Sequence, residues 1–279
     1  MLSMLKLLTL STLLSSALFG ATTNKEVEDF LQKSFKNNPN ITALEVKVLE
    51  RNALEGMSGW ESMIVSVNAT LKAQPAPKQI KQKMIWFSDG TVITKELINI
   101  KTGENLADSV SPAFKDAQYK KENLLYGDAN AKHKVAIFSD PLCPFCRSFV
   151  PGAIEDMKKT PEKIAVYYYH FPLASLHPAS VELAKAAIAA ELQGQKDVVL
   201  RLYKVEIDPN EKDVTKILAA FNKELKTEIK PADLESKKVL EQYEYDMKLA
   251  EDLMVQGTPT LFFDGKVDKT KKQYVKAQQ

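Results

Sequence analysis

A chain of 279 residues, 44% hydrophobic and 27% charged, is long enough to bury one large core or two medium ones. Its 38 Lys and Arg against 36 Asp and Glu leave a net charge of +2, which gives no polybasic footprint and excludes nucleic acid as an expected partner. Its two cysteines, set two residues apart, exclude a disulfide-stapled scaffold, because so short a loop removes little chain entropy when cross-linked.

The chain opens MLSMLK, passes through the apolar and small-residue run LLTLSTLLSSALF, and turns polar at GATTNKE. That order is the shape of a secretory signal peptide, assigned to residues 1–21. The run is short for a membrane span, and the missing A-x-A cleavage pattern leaves an uncleaved anchor as the alternative. The expected compartment lies outside the cytoplasm, where disulfides form and persist.

Residues 22–110 read as a separate α+β module. Val27, Phe30, Leu31 and Phe35 share one side of a helix over Asn24 to Lys36. Alternation at Leu44, Val46 and Val48, and again at Met63, Val65, Val67, Ala69 and Leu71, predicts strands. Lys83 to Phe87 and Thr91 to Ile100 flank the hairpin signal Ser88-Asp89-Gly90. A helix followed by a four-strand antiparallel meander suggests a cystatin-like arrangement with no catalytic cluster. Residues 111–126, charged throughout, read as a linker helix.

The remaining residues, 127–279, hold the chemistry. Val135, Ala136, Ile137 and Phe138 form an apolar strand that Ser139, Asp140 and Pro141 end. Phe145, Phe149, Ala153 and Met157 then recur at helical spacing. Cys143 and Cys146 therefore sit on a strand-to-helix turn. Pro144 suits the first helical position, which puts Cys143 at the N-cap. There the helix dipole and unpaired N–H groups favour thiolate over thiol by about 1 kcal/mol, so Cys143 is the expected nucleophile. Cys146, one turn further in, faces it as a resolving thiol. Structural zinc takes four ligands, and the three histidines, His133, His170 and His177, show no zinc-ligand spacing; no metal is expected. Two inert core thiols are the other alternative.

A helical insertion is expected over about 178–253, with helices at Ser175–Gly194, Asp213–Lys223 and Pro231–Leu253. His170 reads as a structural histidine ending an apolar strand, and His177 as part of a helix cap. In QGTPTLFF, Pro259 leads into an apolar strand and so belongs in a turn or a cis bond, and Asp264-Gly265 marks a hairpin.

Strand, C-x-x-C, helix and a distant Thr-Pro entering a strand resemble the thioredoxin superfamily, with Pro151 matching its helix-kinking proline. AIFSDPLCPFC, HFPLASLHPASVELAKAAIAA and QGTPTLFF resemble periplasmic thiol:disulfide interchange proteins of the DsbC/DsbG type over about Lys134 to Asp264. The resemblance implies an α/β thioredoxin fold after the α+β module and a periplasmic location. In site terms it implies that Cys143 attacks, Cys146 resolves, and Thr258 before cis-Pro259 presents backbone to the substrate. Pro144 and Phe145 between the cysteines would tune the couple, and Asp140 before them would tune it or assist proton transfer, a polar strand-end residue being the alternative. No cofactor is implied. The implied partners are unfolded or misoxidised secreted proteins, a membrane redox partner that resets the couple, and a second copy, with residues 22–110 as the dimerisation domain.

Three functions compete. An isomerase or reductase keeps Cys143 and Cys146 as thiols; an oxidase of the DsbA kind donates their disulfide; a holdase chaperone binds unfolded chains without using them. Thr258 before Pro259 resembles the isomerase type, whereas HFPLASLHPAS recurs in DsbA-like oxidases.

Overall fold

The structure, a computed structural model, describes residues 22–278; the signal-peptide expectation for 1–21 lies outside the described residues. The chain divides into two compact units between Gly103 and Glu104, a few residues before the boundary expected at 110.

In the first unit, helix α1 (Asn24–Lys36) starts from a capping box in which the Thr23 side chain accepts from Glu26 N and Glu26 reaches back to Thr23 N. It is followed by β1 (Ile41–Ala53), β2 (Glu61–Leu71), β3 (Lys78–Ser88) and β4 (Ile93–Thr94), an antiparallel sheet in sequence order. The period-2 alternation puts Val46, Met63, Val65, Val67 and Trp86 on one face, where they pack with Val27 and Leu31 of α1. The last strand is far shorter than the expected Thr91–Ile100. Thr94 turns its hydroxyl to the backbone, accepting from Glu96 N and donating to Glu96 O, and such local bonds compete with a ladder. Ile100 beyond it is 95% exposed, so no burial favours extending the pairing.

The second unit begins with a correction. The linker helix expected over 111–126 is absent. The segment runs through the 3-10 turns Asp116–Gln118 and Lys121–Asn123 into β5 (Leu124–Tyr126). Phe114 explains why: its ring sits in the core against Phe138, Tyr169 and Phe262, and its N–H donates to Gly265 O. A single deep anchor whose backbone bonds go to a neighbouring turn holds this segment as part of the domain, not as a connector between domains.

The sheet continues with β6 (His133–Ser139), then helix α2 (Pro144–Met157) and β7 (Ile164–His170), which pairs parallel to β6. A helical insertion follows: α3 (Ala179–Leu192), α4 (Val198–Leu202), α5 (Val214–Leu225), α6 (Pro231–Leu234) and α7 (Lys237–Asp252). The single helix expected over Pro231–Leu253 is thus two. Ser236 is extended and acts as the N-cap of α7, the position serine prefers to a helix interior. Strands β8 (Thr260–Phe263) and β9 (Lys266–Val267) and the short α8 (Gln273–Gln278) end the chain. The order β5-β7-β6-β8-β9 places β6 at the centre of the sheet, which is why Val135 to Ser139 are buried on both faces without alternation. One face packs under α2 through Ile137, Val150, Ile154 and Met157. The other carries Phe138, Tyr169 and Phe262 against Phe114 and α7.

Candidate active site

The centre of the sheet delivers β6 directly into the turn that holds both cysteines. Cys143 is the N-cap of α2, with extended backbone (φ −66°, ψ 123°) and no side-chain capping bond, and Pro144 opens the helix. Its sulfur is therefore left free at the positive end of the helix dipole. Cys143 is 5% exposed and Cys146 0%, so the little exposure the pair has belongs to the first. Both are free thiols. Phe145, 76% exposed beside them, projects from the first turn. Pro151 lies inside α2.

Across from the helix start, the Thr258–Pro259 bond is cis, and the Cys143 thiol points at Thr258 O, 3.7 Å away. The four residues Cys143, Cys146, Thr258 and Pro259 thus meet at one place. Burial pushes the Cys146 thiol up to about 11, while the Ser139 and Thr258 side chains and the Asp140 backbone pull it the other way.

Asp140 is buried and saturated. Oδ1 accepts from Leu142 N at 2.7 Å and Ser180 Oγ at 2.6 Å, and Oδ2 accepts from Leu173 N at 2.8 Å and lies 2.9 Å from His177 Nδ1. With both oxygens occupied, its geometry is that of a clamp tying the cysteine turn to the start of α3. His177, read from sequence as a helix cap, is one jaw of that clamp. A second tie comes from Arg147 in the first turns of α2: Nε donates to Pro141 O at 2.8 Å, and Nη2 donates to Val205 O of the insertion. His170 is structural. Its N–H donates to Asp246 Oδ2 at 2.9 Å, and burial lowers its imidazole to about 4.

Residues that sequence reasoning missed surround Cys146. Tyr203, which follows α4, donates to Ser139 Oγ at 2.6 Å, and Tyr168 of β7 lies 2.9 Å from Tyr203 across their hydroxyls. Only Ser139 carried a local signal, as the polar end of an apolar strand beside the motif. Among the described residues, no group of His, Cys, Asp and Glu is placed to hold a metal, and no helix is long and apolar enough to cross a membrane.

A dithiol whose outer sulfur sits at a helix start and faces a Thr–cis-Pro carbonyl, on a five-stranded mixed sheet, has the parts that thiol:disulfide exchange requires. The chain belongs to the thioredoxin family: the family model described as Thioredoxin matches residues 119–279, more than half of its length. The curated relatives include the Na(+)/H(+) antiporter NhaA 1 of Mycolicibacterium gilvum, 30% identical over 142 residues, covering 50% of this chain and 23% of the antiporter. The counterpart in Mycolicibacterium vanbaalenii is 31% identical over 130 residues, 46% of this chain and 21% of that protein. The chain thus spans less than a quarter of the curated relatives it matches. Solved structures similar to it include a thioredoxin-like oxidoreductase from Silicibacter pomeroyi, at 22% identity and a TM-score of 0.47 over 60% of this chain and 96% of that one. Another is BdbD from Bacillus subtilis, at 21% identity and a TM-score of 0.46 over 61% and 94%.

Proposed function

We propose that this chain is an extracytoplasmic thiol:disulfide oxidoreductase of the DsbC/DsbG kind, acting as isomerase or reductase on misoxidised secreted proteins. The observation that carries the reading is the arrangement of Cys143, at the helix start and aimed at Thr258 O, with Cys146 fully buried one turn behind. The Cys143 thiolate attacks a substrate disulfide, one substrate sulfur leaves as thiolate, and a mixed disulfide forms. An extended substrate segment lies against the Thr258 backbone, and Phe145 contacts its apolar side chains. Either a substrate thiolate displaces Cys143, which completes an isomerisation, or Cys146 attacks Cys143 and releases the substrate reduced. In the second case a membrane partner returns the Cys143–Cys146 disulfide to the dithiol.

Residues 22–110 serve as the dimerisation domain in this reading, which the order of an α+β module followed by a thioredoxin domain supports. Light scattering on the full chain tests it; a monomeric mass removes it.

Direction is tested by the redox state of the pair in cells, by acid quench and alkylation with a mass-tagged maleimide. A reduced pair supports isomerase or reductase. An oxidised pair makes the protein a disulfide donor and overturns the assigned direction.

A further inference from the structure

Cys146 presents a physical problem. To release a mixed disulfide it must become a thiolate, yet it is sealed inside the fold, where an isolated charge is costly. The protein must therefore supply donors at the sulfur. A linked set of hydroxyls is present. Tyr203 gives its one hydroxyl proton to Ser139 Oγ at 2.6 Å, so toward Tyr168, 2.9 Å away, it acts as acceptor and Tyr168 donates. Ser139 Oγ, already accepting from Tyr203, keeps its own proton free to donate, and Cys146 packs in the same buried cluster as Tyr168 and Tyr203, where the Ser139 side chain pulls its thiol down against the effect of burial. All three hydroxyls are then oriented one way, from Tyr168 through Tyr203 and Ser139 to Cys146, and each bond polarises the next. Thr258 Oγ1, buried with no hydrogen-bond partner, is a further hydroxyl that pulls the same thiol down.

The geometry points to the Tyr168, Tyr203 and Ser139 hydroxyls as a donor chain that holds the Cys146 thiolate and sets the rate of the release step, an inference that rests on the thiol:disulfide reading above. In that step Cys146 loses its proton, and its sulfur attacks Cys143 Sγ. The Cys143–Cys146 bond forms, the bond from Cys143 to substrate sulfur breaks, and the electron pair departs on the substrate thiolate, which ends with the proton. The hydroxyl chain donates hydrogen bonds throughout and keeps its protons. Tyr203 belongs to the helical insertion, so that insertion acts on the chemistry as well as covering the sheet. The titratable neighbours of this cluster are Cys143 on α2, Asp140 with its partner His177, His170 edge-on to Tyr168 at 5.0 Å, and Tyr274 of α8. None of them stands between the hydroxyls and the sulfur in the bonded order.

The test uses the full chain, reduced, mixed with 5,5′-dithiobis(2-nitrobenzoate). The first thionitrobenzoate released reports attack by Cys143, and the second reports Cys146 resolving the mixed disulfide. Ser139→Ala and Tyr203→Phe are compared with the wild type across pH. The expected result is a first release within about twofold of wild type and a second slowed about tenfold in Ser139→Ala, and less in Tyr203→Phe. The deficit closes as pH rises and the thiol ionises without help. A second phase within about twofold of wild type in both variants overturns the inference. So does an equal slowing of both phases, or a deficit that is constant with pH, either of which marks a purely structural role. If Tyr203→Phe does not fold, the smaller Ser139→Ala change carries the same comparison. A wild-type protein that releases no thionitrobenzoate overturns the thiol:disulfide reading itself, which is a separate outcome.

Discussion

The sulfur of Cys143 points at the carbonyl oxygen of Thr258 from 3.7 Å across 115 residues of sequence. In the proposed reading this contact puts the nucleophile where the backbone of an extended substrate would lie, with Cys143 nearer the surface and Cys146 sealed behind it.

The first prediction follows from that division. Cys146→Ser keeps the attacking sulfur and loses the resolving one, so it should accumulate mixed disulfides. Cys143→Ser should form none, because the remaining thiol has no exposed surface at all (0%) and burial holds it protonated. Non-reducing gels of the two proteins mixed with an oxidised substrate protein check this, and mixed disulfides of equal yield in both would refute it.

Asp140 ties the cysteine turn to the start of α3. Asp140→Ala leaves Leu142 N, Leu173 N, Ser180 Oγ and His177 Nδ1 without their acceptor. The expected loss is about 3–5 kcal/mol in urea unfolding, since unsatisfied buried donors cost far more than a surface bond. A loss under about 1 kcal/mol would show that water or a repacked side chain satisfies them.

Two glycines should respond oppositely to alanine. Gly127 has φ +87°, and a Cβ there would sit 2.2 Å from Ile164 O, so Gly127→Ala should destabilise by more than about 2 kcal/mol. Gly152 lies within α2 with nothing near its Cβ position, and Gly152→Ala should stabilise by about 0.5–1 kcal/mol. Thermal or urea unfolding of the pair decides, and a common sign would contradict the backbone argument.

Glu191 lines a cavity of about 440 Å³ with Asp246, His170 and Tyr168. Burial raises its carboxyl to about 8, with Asp246 adding to the effect. The folded state therefore holds a proton that the unfolded chain releases near 4.5, and stability must fall as pH rises from about 4.5 to about 8. Asp246, raised to about 7, acts in the same direction at lower pH, while His170, lowered to about 4, acts oppositely below 6.5. Between pH 7 and 8.5 Glu191 dominates. Over that interval wild type should lose stability in urea unfolding and Glu191→Gln should stay level; parallel curves would sink the assignment.

Much of this was legible along the chain. The apolar run Val135 to Phe138, the N-cap preference around Cys143 and Pro144, and the helical spacing of Ala153 and Met157 located the strand, turn and helix, because those signals act over a few residues. The same reasoning failed over 111–126. Charged residues there suggested a helix, but one buried side chain, Phe114, held the segment against Phe138 and Phe262, and a tertiary anchor of this kind has no periodicity. The last long helix breaks at Ser236, whose extended backbone opens α7 without a side-chain capping bond.

The sequence by itself determined the dithiol, its place at a helix start and the order of its two sulfurs, all set by local hydrogen bonding and side-chain period. Tertiary structure decided what faces those sulfurs: Thr258 O opposite Cys143, the Asp140 clamp closed by His177 and Ser180, and the hydroxyls of Ser139, Tyr203 and Tyr168 at Cys146. These groups come from the ends of different elements, brought together by burial of the apolar faces of the sheet and the insertion. Hydrophobic burial is non-directional, so the residues that drive it say little about which polar groups will meet once it is complete.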